Sequence, residues 1–306
     1  MVELYQQLRR FGGVKTNEPM SKHTTFKIGG PARYFVVVTE TEKLVALLRF
    51  LDGEGETYFI LGGGSNLLVR DEGYDGTVIE IRNWKLEIRN SIIEADAGCI
   101  TATVARESVS NGLADFEWAV GVPGTLGGAV RGNAGTKDGE MKDVVHEVDA
   151  YANGDVVTYS NAACEFGYRH SRFKTSGEVV LRVRLALRPG DKQTGMKKLL
   201  EQIQYRTSTQ PKGGASIGCI FKNFELRLQT TDYRLQTIPD EFVKKGKIPA
   251  GWLVEKAGLK GTQIAGAMIS PVHGNFIVNE GKAAAADVLA LIALAKEKVY
   301  DIEVEG

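Results

Sequence analysis

The sequence predicts an α+β fold built in three parts. Its 306 residues exceed the usual size of a single hydrophobic core. Segments with the 3.6-residue apolar spacing of helices alternate with short segments that show the period-two pattern of strands. The hydrophobic content of 43% and the charged content of 25% are those of an ordinary folded globular chain. We therefore predict several compact units, with ligands held in clefts between them.

The first part is predicted to span residues 1–75. It starts with a short amphipathic helix over residues 1–11, which ends at two glycines, and continues into the strand-like run PARYFVVV. Thr39 and Glu42 predict a capping box at the start of a second helix. The run TYFILGGG then predicts a short strand that leads into glycines, so a strand–helix–strand unit is the simplest interpretation. The apolar face of the second helix is predicted to consist of Leu44, Leu47, Leu48 and Leu51.

The second part is predicted to span residues 76–192. Residues 77–97 alternate apolar and polar side chains, as half-buried antiparallel strands do. The run TATVARESVSNG predicts a helix, and residues 116–135 predict a glycine-rich loop region. Asn153-Gly154 is a strong hairpin signal, and the run GEVVLRVRLALRPG predicts one more strand before a polar linker.

The third part is predicted to span residues 193–306. Residues 192–205 have a helical pattern. From residue 251 onward the pattern predicts a helix, a strand and a long alanine-rich and leucine-rich helix, carried by GWLVEKAGL, GNFIVN and KAAAADVLALIALAKEKV. This mixture of helix and strand again indicates an α+β domain.

Charge and cysteine content restrict the class of protein. Thirty-eight basic and thirty-eight acidic residues give a net charge of zero, so no global field favours nucleic acid or an anionic membrane as a partner. Cys99, Cys164 and Cys219 are odd in number and lack metal-ligand spacing, which predicts a reducing compartment and no metal site. The sequence has neither the apolar core of a secretion signal nor an apolar run of roughly 20 residues. We therefore expect a cytoplasmic protein.

Two glycine runs follow predicted strands, at residues 62–66 and 121–135. Glycine permits positive φ and lets backbone N–H groups approach a ligand closely, which is how backbone nests bind phosphate. Neither run is a P-loop or a dinucleotide-binding fingerprint, and tight turns would explain either run alone. Together with the glycines at residues 29 and 30, the two runs indicate a large anionic cofactor.

Six motifs carry a resemblance to a known family. They are TTFKIGGPARYFVV, ILGGGSNLLV, GVPGTLGGAVRGNAG, FGYRHSRFK, GCIFKN and HGNFIVNEGKAAAADVLALI. In this order and spacing they resemble the UDP-N-acetylenolpyruvoylglucosamine reductase family, over residues from about 20 to about 299. The resemblance implies an FAD-binding region in two parts, of the vanillyl-alcohol oxidase type, followed by a C-terminal substrate-binding α+β domain.

The resemblance also implies cofactors and an activity. The protein is expected to be an FAD-dependent oxidoreductase that uses NADPH to reduce UDP-N-acetylglucosamine enolpyruvate to UDP-N-acetylmuramate during peptidoglycan precursor synthesis. It is expected to act as a monomer, with this UDP-sugar as its partner. The residues implied in FAD binding are Gly62, Gly63, Gly64, Ser65, Asn66, Gly121, Pro123, Gly124, Gly127 and Gly128.

The same comparison implies the catalytic residues. Arg169 matches the arginine that polarises the substrate carboxylate, and Tyr168 matches a tyrosine that contacts substrate or nicotinamide. Cys219 occupies the position where most members have the serine that protonates C2, so it is predicted to be the general acid; its thiol is more acidic than a hydroxyl. The alternative is a buried inert thiol, to which we assign Cys99 and Cys164. The residues implied in positioning substrate or flavin are Lys222 and Asn223, with a solvated loop as the alternative.

Two places depart from the family pattern. The C-terminal catalytic glutamate is assigned to Glu303, with Glu305 or no glutamate as alternatives. The charged segment 224–250 is predicted to be an insertion that forms either a lid or plain surface. Two competing functions follow: another FAD oxidoreductase of this fold acting on a sugar or hydroxy acid, or a flavin-binding protein impaired by a shortened C-terminus.

Overall fold

The structure, a computed structural model, describes residues 2–226 and 238–299. These residues form two compact units. The first unit consists of the described residues up to Pro19 together with Pro31–Gly64 and Gly73–Ser208. The second consists of Met20–Gly30, Ser65–Glu72 and the described residues from Thr209 onward. The boundary predicted near residue 75 between two FAD-binding parts stays a prediction.

The first unit begins with a four-stranded sheet of order β1-β2-β4-β3. Strands β2 and β3 run parallel to β4, which lies between them, and β1 is antiparallel to β2. The four leucines predicted for the apolar face of α2 are all fully buried, which confirms that prediction. The elements are α1 (Val2–Leu8), β1 (Gly13–Pro19), β2 (Pro31–Val38), α2 (Thr41–Glu54), β3 (Tyr58–Leu61) and β4 (Tyr74–Ile81).

The start of α2 corrects the predicted capping box. The N-cap residue is Glu40, in extended conformation, and it makes no side-chain cap hydrogen bond. Because the helix begins at Thr41, Thr39 lies one residue before the cap and Glu42 lies at the second helical position. The reciprocal contacts of a capping box need the cap residue and the third helical position, so this pair cannot form one.

Strand β4 corrects the prediction of antiparallel pairing for the start of residues 77–97. It is the central parallel strand of the first sheet, and Val78 and Ile79, which point to opposite faces, are both buried. The remainder of that segment is an antiparallel hairpin, as predicted. This hairpin turns at Asn90, which has a φ of +55°. Its strands are β5 (Leu86–Arg89) and β6 (Ile92–Asp96).

The second sheet of the first unit is antiparallel, with order β11-β10-β12-β6-β5. The hairpin between β10 and β11 turns at Asn153 (φ +50°) and Gly154 (φ +91°), which confirms the predicted Asn-Gly turn. The remaining elements of this unit are α3 (Thr101–Ser110), β7 (Leu113–Ala114), α4 (Leu126–Arg131), β8 (Gly135–Thr136), β9 (Gly139–Glu140), β10 (Val145–Ala152), β11 (Asp155–Ser160), β12 (Val179–Ala186), β13 (Arg188–Pro189) and α5 (Lys192–Thr209).

The second unit has its own core, which includes Phe26, Phe221, Val288 and Leu291. The segment predicted as an insertion leaves and returns through the antiparallel pair β14 and β15, and its residues 227–237 lie outside the described residues. A three-stranded antiparallel sheet contains β16, β17 and β18. The elements are β14 (Phe224–Glu225), α6 (Asp240–Lys245), β15 (Lys247–Ile248), α7 (Ala250–Lys256), β16 (Gln263–Ile264), β17 (Ala267–Ile269), β18 (Ile277–Asn279) and α8 (Ala285–Lys298).

Two early segments of the chain are tied into the second unit by side-chain hydrogen bonds. The carboxylate of Asp71 accepts from the backbone N–H of Ala285 at 2.8 Å and of Ala286 at 3.2 Å, so it caps the start of α8. The side-chain amide of Asn279 donates to the carbonyl of Phe26 at 2.9 Å. None of the helices within the described ranges is long and apolar enough to cross a membrane. The α+β class is as predicted.

Candidate active site

The two glycine runs meet within the first unit. A Cβ atom built on Gly63 would lie 2.7 Å from the Cα atom of Gly124. A Cβ atom on Gly62 would lie 2.4 Å from the Oγ1 atom of Thr125. Contacts this short do not exist between real side chains, so the backbones approach each other because both runs lack side chains here. Gly64 (φ +60°) and Gly124 (φ +98°) also adopt the left-handed conformation that favours glycine.

The region 116–135, predicted as a loop, contains the short helix α4. Its first residues are tied to the residues that follow β6: Leu126 N–H donates to Cys99 O at 2.8 Å, and Gly127 N–H to Ala97 O at 2.9 Å. A Cβ on Gly127 would lie 2.8 Å from the Cβ of Ala97, so this glycine is needed for packing. These bonds hold the second glycine run against the second sheet.

Two amide groups remain available to a ligand. Within the described part of the chain, the backbone N–H groups of Gly63 and Gly128 make no hydrogen bond, and both residues are exposed. Gly62 and Gly128 both lie next to Thr125, since a Cβ on Gly128 would be 3.6 Å from its Oγ1 atom. Free amides beside a surface without side chains fit a diphosphate, because they supply donors and close access without a basic patch. The residues present therefore fit the pyrophosphate of FAD.

The other residues predicted to bind FAD lie in less crowded or more exposed positions. Gly121 has no crowding, because a Cβ there would be 3.9 Å from the nearest atom, in Arg206. Pro123 is exposed. Ser65 and Asn66 belong to the second unit, where Ser65 is half-buried and Asn66 exposed. The segment that they begin is held there by a hydrogen bond from Gly30 N–H to Arg70 O at 2.9 Å.

Tyr168 and Arg169 form the tip of a tight turn in the first unit. Gly167 and His170 close the turn with reciprocal backbone hydrogen bonds of 3.0 and 3.1 Å. Arg169 has a φ of +53°, which is uncommon for a residue with a long side chain. Its Nη2 atom donates to the carbonyl of Gly135 at 3.1 Å, and its guanidinium carbon lies 5.5 Å from the centre of the Tyr168 ring. Such conformations persist where the surroundings over-determine them, and they concentrate at functional sites.

Several contacts fix the chain after this turn. Lys174 Nζ donates to the carbonyl of Arg169 at 3.2 Å. The Glu178 carboxylate accepts two hydrogen bonds from Arg172, at 2.9 and 3.1 Å, and further ones from Tyr159 and Ser176. Burial raises the pKa of the Glu178 carboxyl, but these hydrogen bonds outweigh it and hold the pKa below its usual value. The turn that presents Arg169 is therefore anchored by a charged network.

Asn133 is a structural feature of this site that the sequence analysis did not select. It is fully buried, has a φ of +42°, and its side-chain amide donates to the carbonyl of Gly167 at 2.8 Å. An asparagine two residues after a helix end, in the run RGNAG, is the available signal, because asparagine tolerates left-handed backbone.

Cys219 lies in the second unit, on an extended run that pairs with Phe276. Asn275 clamps the residues that follow: its carbonyl accepts from Ile220 N–H at 2.9 Å, and its side chain exchanges two hydrogen bonds of 2.8 Å with the backbone of Phe221. Ile220 and Phe221 are buried, whereas Cys219 and Lys222 are half-buried. The clamp therefore fixes the backbone that carries the thiol.

The other two cysteines are different. Cys99 and Cys164 are buried, and burial raises the pKa of each thiol to about 11. Both thiols are therefore protonated at neutral pH, as expected for inert structural cysteines.

Asn223 and His273 have structural contacts of their own. The Asn223 side-chain oxygen accepts from Ala250 N–H at 3.0 Å, at the start of α7. His273 Nδ1 accepts from Asn275 N–H at 3.1 Å, and burial lowers the pKa of its imidazole. A neutral, hydrogen-bonded histidine suits a structural role better than that of a base. Glu303 and its alternative Glu305 lie outside the described residues.

Comparisons with known proteins cover nearly all of the chain. A family model described as the C-terminal domain of UDP-N-acetylenolpyruvoylglucosamine reductase matches residues 210–303, and a model described as an FAD binding domain matches residues 31–160. The reductase of that name from Alkaliphilus oremlandii is 38% identical, over 94% of this chain and 89% of its own length. The reductase of that name from Halalkalibacterium halodurans is 36% identical, over 100% of this chain and 97% of its own length.

A solved structure agrees with these relatives. The crystal structure of UDP-N-acetylenolpyruvylglucosamine reductase from Thermus caldophilus superposes with a TM-score of 0.79 at 34% identity, and it covers 96% of this chain and 97% of its own. The match to the FAD-binding domain includes both glycine runs, which confirms the predicted cofactor. The chain belongs to the UDP-N-acetylenolpyruvoylglucosamine reductase family.

Proposed function

We propose that this protein reduces UDP-N-acetylglucosamine enolpyruvate to UDP-N-acetylmuramate, a step of peptidoglycan precursor synthesis, with FAD as cofactor and NADPH as co-substrate. The observation that carries the proposal is the similarity to reductases of this name over almost the full length of both chains. The proposal is supported by a backbone surface suited to a diphosphate and by a fixed arginine in the first unit. When bound, FAD supplies the hydride that reaches C3 of the enolpyruvyl group.

The glycine runs would hold FAD through backbone groups. The N–H groups of Gly63 and Gly128 can donate to pyrophosphate oxygens, and the missing side chains of Gly62, Gly63 and Gly124 let the phosphates come close. This mode of binding suits a chain with zero net charge, because oriented amides replace a cluster of lysines and arginines.

Arg169 would bind the substrate carboxylate. Addition of hydride at C3 moves negative charge onto the carboxylate and C2, and a cation placed there beforehand stabilises that charge most effectively. A guanidinium stays charged and presents two parallel donors to a carboxylate. The backbone turn, the contact with Gly135 and the ring of Tyr168 fix Arg169 before substrate binds. Tyr168 would contact the substrate or the nicotinamide from the same turn.

Cys219 would donate the proton to C2. A thiol has an unperturbed pKa of about 8.5, far below that of a serine hydroxyl, so it can protonate carbon at neutral pH with less assistance. Its backbone is fixed by the Asn275 clamp, and its side chain is half-buried, unlike those of the other two cysteines. Lys222 and Asn223 would position the substrate diphosphate or the flavin, and Glu303, or Glu305 in its place, would be the third catalytic residue.

The proposal is tested by separate half-reactions of the FAD-loaded protein under anaerobic conditions. NADPH should bleach the flavin absorption band near 450 nm, and UDP-N-acetylglucosamine enolpyruvate should then restore it rapidly. Bleaching without restoration by this substrate would show that the substrate assignment is wrong. Absence of bleaching by NADPH, with bleaching by NADH, would show that the nicotinamide assignment is wrong.

The role of Cys219 is tested by two matched substitutions. Cys219→Ser keeps a proton donor of similar size, whereas Cys219→Ala removes it. We expect reduction by NADPH to be retained in both, and reoxidation by substrate to fall by at least about 100-fold in Cys219→Ala and by less in Cys219→Ser. Reoxidation of Cys219→Ala at the wild-type rate would contradict the assignment.

A further inference from the structure

The side chain of Asn133 makes three hydrogen bonds in a fully buried position at the end of α4. Its Nδ2 atom donates to the carbonyl of Gly167 at 2.8 Å and to Oε2 of Glu140 at 3.0 Å. Its Oδ1 atom accepts from the N–H of Lys142 at 2.9 Å. One small amide therefore joins the end of α4 to two other stretches of the first unit: the turn at Gly167 and residues 140–142.

The first of these stretches is the turn that carries Arg169. The carbonyl of Gly167 accepts from His170 N–H and from Asn133, so both of its lone pairs are used. On the other side of the turn, the hydroxyl of the buried Ser171 donates to the carbonyl of Arg131 at 2.8 Å, at the end of the same helix. The end of α4 thus holds the turn on both sides of Arg169.

The second stretch is the end of the hairpin of β8 and β9 together with the residues that follow it. Gly135, the first residue of this hairpin, supplies the carbonyl that accepts from Arg169 Nη2 at 3.1 Å. Asn133 holds the hairpin through Glu140 in β9 and through the N–H of Lys142. The same side chain therefore fixes the backbone of Arg169 and the acceptor of its guanidinium.

We propose that Asn133 is a positioning residue that sets the location of the Arg169 guanidinium. The inference rests on the proposed role of Arg169 in binding the substrate carboxylate. The geometry calls for a short side chain with two donors and one acceptor on a backbone of positive φ. Asparagine meets all of these needs, whereas aspartate lacks the donors, serine has only one donor, and glycine supplies the backbone conformation alone.

A residue that only stabilises the fold would give a different set of effects. Replacing such a residue slows all steps in proportion to the folded fraction. Its effect on the free energy of activation then adds to the effect of replacing Arg169. Loss of a residue that acts through Arg169 should matter only while Arg169 is present, because coupled residues are not additive. A double-mutant cycle separates the two cases.

The experiment uses FAD-loaded protein that is reduced with dithionite, so that NADPH plays no part. UDP-N-acetylglucosamine enolpyruvate is then mixed in and the rate constant of flavin reoxidation is recorded. The variants are Asn133→Gly, Asn133→Asp, Arg169→Ala and the double variant Asn133→Gly/Arg169→Ala. The matched control is Asn161→Ala, which also removes a side-chain amide that donates to two backbone carbonyls; its acceptors are the carbonyls of Lys142 and Val145, and not those of Gly167 or Gly135.

We expect Arg169→Ala to slow reoxidation by roughly 100-fold or more, as loss of a charge-stabilising donor does. Asn133→Gly should slow it by roughly 10- to 100-fold, because a displacement of about 1 Å is enough for such a loss. In the Arg169→Ala background the same change should have less than about a threefold effect. Asn161→Ala should reoxidise within about twofold of the wild type, whatever its effect on Tm.

Asn133→Asp adds a pH readout. A carboxylate there would face the Gly167 carbonyl and the Glu140 carboxylate without a donor, whereas the protonated acid regains one donor. Its reoxidation rate, relative to wild type at each pH, should therefore rise as the pH falls from 8 to 5.

Three results would overturn the inference. Reoxidation of Asn133→Gly within twofold of wild type would show that Asn133 does not position Arg169, as would additive losses in the double variant. A pH-independent deficit in Asn133→Asp would count against the donor role. If reduced wild-type protein is not reoxidised by the substrate at all, the proposed function itself is wrong and this inference fails with it; that result is distinct from the other three.

Discussion

Replacing Gly63 with alanine should weaken FAD binding, because the two glycine runs touch at this point. The new Cβ would lie 2.7 Å from Gly124 Cα and 3.4 Å from Gly124 C. Non-bonded carbon atoms prefer a separation of about 3.5 to 4.0 Å, so one run must move by roughly 1 Å. The neighbour is backbone, which cannot rotate away as a side chain can. The φ of Gly63 is not positive, so the effect is steric and not one of backbone strain.

Overpacking of this kind typically costs about 1–3 kcal/mol. If the two glycine runs move apart, the surface that binds the FAD pyrophosphate is distorted by a similar free energy, and the Kd for FAD should rise by roughly 10- to 100-fold. Gly62→Ala should have a smaller effect, because its close neighbour is the end of the Thr125 side chain, which can rotate. Gly53→Ala in α2 is the matched control, since its Cβ would have no atom within 4 Å. This control should leave the Kd unchanged and stabilise the helix by about 0.5–1 kcal/mol.

The assay is a titration of apoprotein with FAD, followed by quenching of flavin fluorescence, with the Tm of each apoprotein measured in parallel. The ranking expected for loss of affinity is Gly63→Ala, then Gly62→Ala, then Gly53→Ala. A Kd and a Tm for Gly63→Ala that both match the wild-type values would refute the argument from close approach.

Three further predictions concern stability and titration. The pKa of Glu178 in the folded protein lies below its usual value. The contribution of this carboxylate to folding stability is therefore present above about pH 4.3 and is lost as the pH falls through the folded pKa. Glu178→Gln should lower the free energy of unfolding at pH 7 by about 2–4 kcal/mol. It should also make the drop in free energy of unfolding between pH 7 and pH 4 smaller than in the wild type, and urea titrations at the two pH values can measure both effects. Iodoacetamide at pH 8 should modify Cys219 in the folded protein but leave Cys99 and Cys164 unmodified until urea is added; mass spectrometry of peptides decides this. The NMR titration midpoint of His273 should lie below 6.5, so its neutral form stabilises the fold above that pH; a higher midpoint would contradict the burial argument.

The parts of the fold that were predictable depend on neighbours in sequence. The buried face of α2 repeats with helical spacing, and the Asn153-Gly154 turn needs only two residues with positive φ. The antiparallel pairing predicted for β4 is wrong, because the partners of this strand are set by the tertiary structure. Its alternating pattern is that of a half-buried strand, yet both of its neighbours, β2 and β3, run parallel to it.

The residues of the candidate site also differ in whether local sequence could reveal them. Arg169 and Cys219 could be selected because their motifs match a family, and the glycine runs because of their composition. Asn133 could not be selected in this way, since its partner Gly167 is 34 residues away and nothing local indicates that contact. The approach of Gly63 to Gly124 is likewise a tertiary fact, visible only when the strand before one run and the helix after the other are in place.

The division of the second unit into three chain segments has a consequence for synthesis on the ribosome. Met20–Gly30 and Ser65–Glu72 emerge long before the residues from Thr209 onward, to which they bind in the folded protein. The hydrogen bond from Asn279 to Phe26 joins residues 253 positions apart. Until the last third of the chain is made, Phe26 and Ile28 lack most of their core neighbours, and nascent chains carry exposed apolar segments of the kind that chaperones bind. Synthesis of the residues from Thr209 onward, and not growth of the first unit, therefore sets the earliest moment at which the second unit can fold.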